Sequence, residues 1–206
     1  MSRSGGTPRA TPATEADLLA LPEGGRGYEL IDGALVEKNP LRAGAEEVGF
    51  TPWHNLAQAR TVVFTDPFGR RSGGGGRPGG WWILPEQHTR VGDDIVRPDV
   101  AGWRRERLPE LPKGVAVLPL RPDWICEVVS PGHAADDLVR KRRLYHRAEV
   151  PHYWIIDPRD ETLLVLRFTP HGYIEVLAAS RGEIVRAEPF AELELSVGSL
   201  FGYDDE

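Results

Sequence analysis

The chain has 206 residues, of which 40% are hydrophobic and 27% are charged, and these proportions are ordinary for one globular domain. Its formal net charge of −6 gives no support to a broad nucleic-acid-binding surface, so any such contact has to be local. The single cysteine, Cys126, excludes a disulfide framework and a cysteine-rich zinc site. Without an apolar run of membrane-spanning length or a signal peptide, we expect a cytoplasmic protein with no membrane partner.

The N-terminal part predicts a tail, a short helix and a hairpin. Residues 1–13 are small, polar and contain proline, which is typical of a disordered tail, whereas residues 14–203 are predicted to form a single domain. Thr14, with an aspartate three residues later, predicts the N-cap of a helix over Glu15–Ala20. Asp32-Gly33 predicts a type I′ turn between two strands.

A second helix is predicted to begin at Thr51-Pro52, where threonine caps the helix and proline takes its first position. Its apolar residues predict an inner face made of Trp53, Leu56, Ala57, Val63 and Phe64. His54 and Gln58 fall on another face. A lone histidine there is more often structural than functional, so we assign it no role.

The glycine-rich stretch 69–80 interrupts the pattern of helices and strands. It is not a phosphate-binding P-loop, because no Gly-Lys-Ser/Thr ending follows and no apolar strand leads into it. A flexible surface loop is the simplest interpretation. Its arginines, Arg70, Arg71 and Arg77, could nevertheless contact a phosphate backbone, since loops of this kind can order on contact.

Two strands, Trp81–Arg90 and Ile95–Trp103, are predicted to be joined by a turn at residues 92–94. If the first two of these residues form the turn, Glu86 pairs with Asp99, whereas a shift by one residue pairs His88 with Asp99 instead. Either register places the three side chains on one face, because side chains alternate with period two. A three-residue loop would break this inference. Pro98 removes a ladder hydrogen bond and indicates an edge or a bulge.

The stretch 123–158 predicts a strand, a helix and a second strand. Residues 123–130 are almost continuously apolar, as expected for a strand covered on both faces. Helical spacing follows over 134–148, and a second apolar run covers 153–156. A strand that returns through one helix implies a parallel pair with a right-handed crossover.

Two charged residues break the pattern of this unit. Glu127 lies in the middle of the apolar strand, where an unpaired carboxylate is costly. The helix stripe predicted to face the sheet holds Leu138, Lys141, Tyr145 and Ala148, whereas Arg140, Arg143 and Arg147 form a stripe that can face solvent. Lys141, with Asp137 one turn before it, can therefore meet Glu127 near the C-terminal end of the strand. A buried structural ion pair and a functional site both explain this pattern.

The C-terminal part predicts further strands. Residues 162–169 and 173–178 are predicted to form a hairpin, and residues 184–187 and 193–197 are predicted to extend its sheet.

The motifs that carry a family resemblance are Tyr28–Gly33, Arg97-Pro98-Asp99, Asp123–Pro131, the Asp137, Lys141 and Tyr145 series, and Val150–Pro158. Together they resemble the Uma family of restriction endonucleases, which belongs to the PD-(D/E)XK nuclease superfamily. The similarity runs from about Thr14 to Leu200, nearly the whole chain.

The resemblance implies an α/β fold with a restriction-endonuclease-like core: a helix, three antiparallel strands, a helix and a strand parallel to its neighbour. Additional β-hairpins lie at both ends. The resemblance also makes Asp99 the aspartate of the "PD" element and Glu127 the acidic residue of the second half-motif. Val129 stands where the superfamily's Glu-x-Lys element has lysine, so Lys141 on the following helix is the matching residue. Asp99, Glu127 and Lys141 are thus the catalytic residues that the resemblance implies.

The implied chemistry is hydrolysis of DNA phosphodiester bonds with Mg²⁺, for which Mn²⁺ can substitute. Mg²⁺ prefers one or two carboxylates plus water and substrate phosphate, which suits Asp99 and Glu127, and the main-chain carbonyl of Val128 could complete the protein ligands. Lys141 would orient the water or stabilise the transition state as a point charge. Glu86 is an additional candidate ligand that rests only on the hairpin register.

Two alternatives stay open at this point. A catalytically inactive nuclease-fold protein that binds nucleic acid or a protein partner has the same fold, since fold alone does not imply activity. Glu127, Asp137 and Lys141 could also be a network within the core. For an active enzyme with a negative net charge, a homodimer is one way to extend the DNA-contact surface.

Overall fold

The computed structural model describes residues 11–38, 51–71, 77–130 and 134–203, apart from the side chains of residues 134–137. The helices are α1 (Glu15–Leu19), α2 (Pro52–Thr65) and α3 (Ala134–Arg147). The strands are β1 (Tyr28–Ile31), β2 (Ala34–Glu37), β3 (Trp81–Pro85), β4 (Thr89–Val91), β5 (Asp94–Val96), β6 (Val100–Arg104), β7 (Trp124–Val128), β8 (His152–Asp157), β9 (Thr162–Thr169), β10 (Gly172–Ser180), β11 (Ile184–Val185) and β12 (Leu195–Ser196). No helix within these ranges combines the length and apolar character that a bilayer crossing requires.

A six-stranded sheet in the order β10-β9-β8-β7-β6-β3 carries the central unit of the fold. Strands β3, β6 and β7 are antiparallel neighbours, and β8 runs parallel to β7. Helix α3 joins β7 to β8, which confirms the predicted strand–helix–strand unit. The C-terminal hairpin β9–β10 extends the sheet beyond β8. With α2 ahead of β3, the elements follow the order predicted for the core.

Both faces of this sheet are covered by apolar side chains. On one face, Ala57 of α2 and the indoles of Trp124 and Trp154 belong to a single buried cluster. On the other face, Tyr145 of α3 packs with Ile125 in a second cluster. Because neighbouring strand residues point to opposite faces, every residue of β7 is buried, which explains its almost continuous apolar run.

A second sheet in the order β2-β1-β5-β4 meets the first at the hairpin of residues 81–104. Val91 pairs with Asp94 in this sheet, and Pro85 pairs with Val100 in the other. The two pairs belong to one continuous register along the hairpin. This register places Glu86 opposite Asp99, as the two-residue turn predicts, and the Glu86 N–H donates to the Asp99 carbonyl at 3.2 Å. The ladder is nevertheless interrupted there, since Glu86 has a φ of 51°. Side-chain alternation therefore does not continue from Glu86 to His88.

The prediction that residues 184–187 and 193–197 extend the main sheet was wrong. Strands β11 and β12 pair only with each other among the described residues, in a two-stranded sheet of their own. Leu195 and Val197 are buried in the same cluster as Trp124 and Phe190. Apolar packing thus draws this segment over a face of the main sheet, where it cannot also add to the sheet's edge.

The predicted inner face of α2 was also wrong in part. The side chains of Trp53 and Val63 are 58% and 64% exposed, whereas the buried residues are His54, Ala57, Thr61 and Thr65. The two threonine hydroxyls are satisfied inside the helix, where each donates to a carbonyl four residues earlier at 2.8 Å. On the sheet side of α2, His54 and Gln58 approach the carboxylate and the carbonyl of Asp99, just before β6.

Gly25 is expected to be the glycine most sensitive to substitution near the N-terminus. A Cβ at this position would lie 2.4 Å from the Leu18 carbonyl oxygen, and its φ is +74°. Gly25→Ala should lower the free energy of unfolding by about 1–3 kcal/mol or more in urea denaturation. Gly24→Ala is the matched control, because Gly24 has a φ of +66° but nothing within 4 Å of the added Cβ. Equal losses for the two variants would show that the close approach to Leu18 does not matter.

Candidate active site

Asp99 lies immediately before β6, beside the end of β7. Its Oδ2 accepts a hydrogen bond from the Val128 N–H at 2.7 Å, and its Oδ1 accepts one from Nζ of Lys38 at 2.9 Å. Nε2 of His54 lies 3.3 Å from Oδ2. Burial alone would raise the pKa of Asp99, but attraction to Lys38 and the contact with His54 hold that pKa well below its ordinary value. Asp99 is therefore an ionised carboxylate despite its burial.

Glu127 is the acidic residue buried in β7. Its Oε2 accepts a hydrogen bond from Nζ of Lys141 at 2.9 Å, and its Oε1 accepts one from the Tyr145 hydroxyl at 2.5 Å. Burial raises the pKa of Glu127 to about 7, with attraction to Lys141 opposing the shift and repulsion from Asp99 adding to it. Burial and the same carboxylate raise the pKa of Tyr145 well above its ordinary value, so its hydroxyl remains a donor. The two carboxylates of the site thus differ in acidity.

Helix α3 directs Lys141 and Tyr145 toward the sheet, as the helical stripe predicts. Both side chains are buried, whereas Arg143 and Arg147 of the predicted solvent-facing stripe are exposed and Arg140 is half-buried. The apolar contacts of α3 with the sheet fix the rotation of the helix, and one helical turn separates the two polar side chains. Both can therefore reach the two oxygens of Glu127. The side chain of Asp137, the other acidic residue proposed here, lies outside the described residues.

Glu86 reaches the same site through Lys38. Nζ of Lys38 lies 3.3 and 3.1 Å from the two Glu86 carboxylate oxygens, and it also donates to the Arg97 carbonyl at 2.6 Å. Gln58 donates to Oε1 of Glu86 at 3.0 Å and to the Asp99 carbonyl at 2.8 Å. Burial alone would lower the pKa of Lys38, but attraction to Asp99 and Glu86 raises that pKa above its ordinary value. Lys38 is therefore an ammonium ion linking two carboxylates.

His88 was predicted to share one face with Glu86 and Asp99, but the structure places its side chain against β1. Its Nε2 donates to the carbonyl of Tyr28 in β1 at 2.9 Å. Burial lowers the pKa of His88, which favours the neutral ring. The interrupted ladder at Glu86 accounts for this, because the face that Glu86 and Asp99 share does not continue to residue 88.

The arginines proposed for phosphate contact lie at the two ends of the glycine-rich loop. Arg70, Arg71 and Arg77 are exposed, and residues 72–76 between them lie outside the described residues. The ends of the loop are joined by a hydrogen bond from the Gly80 N–H to the Arg70 carbonyl at 2.7 Å. These side chains are accessible to a ligand, and their phosphate contact stays a prediction.

Sequence reasoning missed four residues of this site: Lys38, His54, Gln58 and Tyr145. The signal for the two on α2 was a stripe of small and polar residues at three- and four-residue spacing, which also includes Thr61 and Thr65. For Tyr145, the signal was a hydroxyl on a stripe predicted to be buried, where it needs a partner. Lys38 had no local signal, because it follows β2 and meets Asp99 61 residues later in the chain.

Comparisons with known proteins agree with this architecture. The family model Uma2, described as "putative restriction endonuclease", matches residues 15–198. The crystal structure of a "putative nuclease belonging to DUF820" from Anabaena variabilis ATCC 29413 is similar with a TM-score of 0.66 and 23% identity, over 92% of this chain and 98% of that one. At this identity, the match is evidence for the fold alone, and it confirms the predicted restriction-endonuclease-like α/β fold. No curated protein matches the chain.

Proposed function

The chain belongs to the Uma2 family, and on this premise we propose that it is a Mg²⁺-dependent endonuclease that hydrolyses DNA phosphodiester bonds. The observation that supports the proposal is the buried cluster where the N-terminal end of β6 lies beside the C-terminal end of β7. In it, the ionised carboxylate of Asp99 stands beside the Val128 main chain, and Glu127 is held by Lys141. Two carboxylates and a lysine beside them, here Lys141, are groups that metal-assisted phosphodiester hydrolysis can use.

The donor set fits a hard divalent cation. Carboxylate and carbonyl oxygens are the ligands that Mg²⁺ prefers, and Asp99, Glu127 and the Val128 carbonyl would hold the ion. Among the described residues, no group of three or more His, Cys, Asp or Glu side chains is arranged to hold a metal. We propose that two carboxylates, together with water and substrate oxygens, hold the ion, which is a common arrangement for Mg²⁺.

Each side chain of the site then has a distinct task. When bound, the ion supplies charge stabilisation and lowers the pKa of a coordinated water. Lys141, fixed by Glu127, places a positive charge beside the phosphoryl group and stabilises the negative charge that develops in the transition state. Tyr145 holds the other oxygen of Glu127 and so fixes the carboxylate in one orientation. The Val128 N–H does the same for Asp99.

The direct test is cleavage by the purified full chain. We expect nicking or cutting of supercoiled DNA with Mg²⁺ or Mn²⁺ and no cleavage after chelation with EDTA. Duplex DNA, single-stranded DNA and RNA should be tested in parallel, each at low salt, because a net charge of −6 predicts weak affinity for nucleic acid. Tight metal binding without cleavage of any of them would favour the inactive, nucleic-acid- or partner-binding alternative.

The DNA contact itself is proposed to involve Arg70, Arg71 and Arg77, which are exposed in a chain of net negative charge. A homodimer would bring two copies of this loop to one duplex. If these arginines contact phosphates, replacing all three with alanine should weaken DNA binding and flatten its dependence on salt concentration, measured by fluorescence anisotropy in Ca²⁺. An unchanged salt dependence would show that these arginines do not contact DNA phosphates.

A further inference from the structure

Lys38 is a lysine whose charged end is enclosed by oxygen atoms inside the candidate site. Its Nζ lies 2.6 Å from the Arg97 carbonyl, 2.9 Å from Oδ1 of Asp99, and 3.1 and 3.3 Å from the two Glu86 oxygens. The side chain is 4% exposed. Carboxylate and carbonyl oxygens are also the ligands of a hard divalent cation, so the ammonium group sits where such an ion would find its donors.

The two buried lysines of the site serve different carboxylates. Lys141 pairs with Glu127, whereas Lys38 pairs with Asp99 and Glu86. Buried carboxylates without a counter-charge would be costly, so both lysines stabilise the metal-free protein. Lys38 reaches the site from the other sheet, since it follows β2 and its N–H donates to the Gly27 carbonyl at 2.8 Å. The two positive charges are thus delivered by independent elements.

We infer that the ammonium group of Lys38 occupies the cation position at Asp99 and competes with the divalent ion for it. A divalent ion held by Asp99 would share that carboxylate with the Lys38 ammonium, and the like charges would repel. The ion can therefore bind only when Lys38 withdraws, which its flexible four-carbon stem permits.

This inference rests on the proposed function only in assuming that Asp99 is a metal ligand. It adds that the chain's own lysine supplies the counter-charge of Asp99 in the metal-free site, and that metal affinity is set by exchange of one cation for another. Lys141 is not displaced in this exchange, because it is held by a different carboxylate and is needed for the chemical step. The inference therefore predicts that Lys38 moves away when the ion binds and that Lys141 stays in place.

Lys38→Met tests the inference, since methionine keeps much of the aliphatic volume and removes the charge. We expect the full-length variant to bind Mn²⁺ at least about tenfold more tightly than wild type by titration calorimetry without DNA. Lys141→Met removes the same charge from the same cluster and is the matched control, with a smaller gain expected, because Lys141 holds one oxygen of Glu127 whereas Lys38 is enclosed by four oxygens. Lys113→Met, at an exposed position, controls for net charge. Equal gains at positions 38 and 141 would show a general field effect and overturn the inference, as would no gain at position 38.

A second measurement uses the wild-type protein, in case Lys38→Met does not fold. The chain has only three lysines, Lys38, Lys113 and Lys141, so amine labelling followed by mass spectrometry reports each one separately. Saturating Mn²⁺ should increase labelling of Lys38 and leave Lys141 protected, with exposed Lys113 as the internal standard. Bound Mn²⁺ with Lys38 still protected would overturn the inference.

These readouts separate the inference from the proposed function. If wild type binds no Mn²⁺ and cuts no DNA, but Lys38→Met binds Mn²⁺, the competition stands and the nuclease proposal fails for the natural sequence. If wild type cuts DNA with Mg²⁺ and Lys38→Met gains no affinity for Mn²⁺, the nuclease proposal is supported and the inferred role of Lys38 is wrong. Binding by neither protein overturns both.

Discussion

Asp99→Asn is expected to reduce metal-dependent DNA cleavage by at least about 10²–10³-fold and to weaken Mn²⁺ binding. An amide keeps the shape of the carboxylate but loses its charge. It also has only one acceptor atom for the bonds that the Val128 N–H and Lys38 now donate to two oxygens. Cleavage should be measured at saturating Mg²⁺ and at increasing Mn²⁺, because a higher metal concentration compensates for weaker binding but not for the lost carboxylate charge.

Asp123→Asn is the matched control for this substitution. Asp123 is also a buried carboxylate that accepts a main-chain N–H, from Arg104 at 2.9 Å, and pairs with a cation, Arg107. It stands before β7, at the end of the strand opposite to Glu127. Its replacement should cost stability but leave cleavage per folded molecule unchanged. If Asp123→Asn reduces cleavage as much as Asp99→Asn, the effect is structural. If cleavage survives both Asp99→Asn and Glu127→Gln, it comes from a contaminant.

Lys141→Ala is expected to slow the chemical step by about 10²–10³-fold while Mn²⁺ binding remains close to that of wild type. Its proposed role lies in stabilising the charge of the transition state, so the loss should appear in the single-turnover rate at saturating DNA and Mg²⁺. Arg143→Ala is the control on the same helix, because Arg143 is exposed and carries the same charge. Equal losses from the two variants would indicate a general contribution of basic charge on α3.

The same variant separates a catalytic lysine from a structural ion pair. Without Lys141, Glu127 loses its counter-charge and keeps the hydrogen bond from the Tyr145 hydroxyl, and breaking a buried pair typically costs about 3–5 kcal/mol. The metal-free variant should therefore melt at a lower temperature than wild type. A core network predicts this loss of stability and no change in rate per folded molecule. A catalytic role predicts both effects.

Local rules were sufficient for much of the fold and for part of the site. The Asp32-Gly33 turn, the capping box at Thr14 and the strand–helix–strand unit at 123–158 all follow the sequence patterns that predict them. The register that places Glu86 opposite Asp99 also follows from the turn at Gly92-Asp93. Each depends on residues close together in the chain, so the sequence contains the information needed.

The tertiary structure decided which polar groups meet. The sequence alone favoured the apolar side of α2 as its inner face, but His54 and Gln58 are directed inward because Glu86 and Asp99, between β3 and β6, present charged and carbonyl groups to that helix. Lys38 enters the site from another sheet, and no residue near it in the sequence indicates this contact. The sequence by itself determined the elements and the inward position of Lys141. The remaining partners of Asp99 depended on how distant elements pack, because a buried charge takes its counter-charge from whichever element the fold brings within reach.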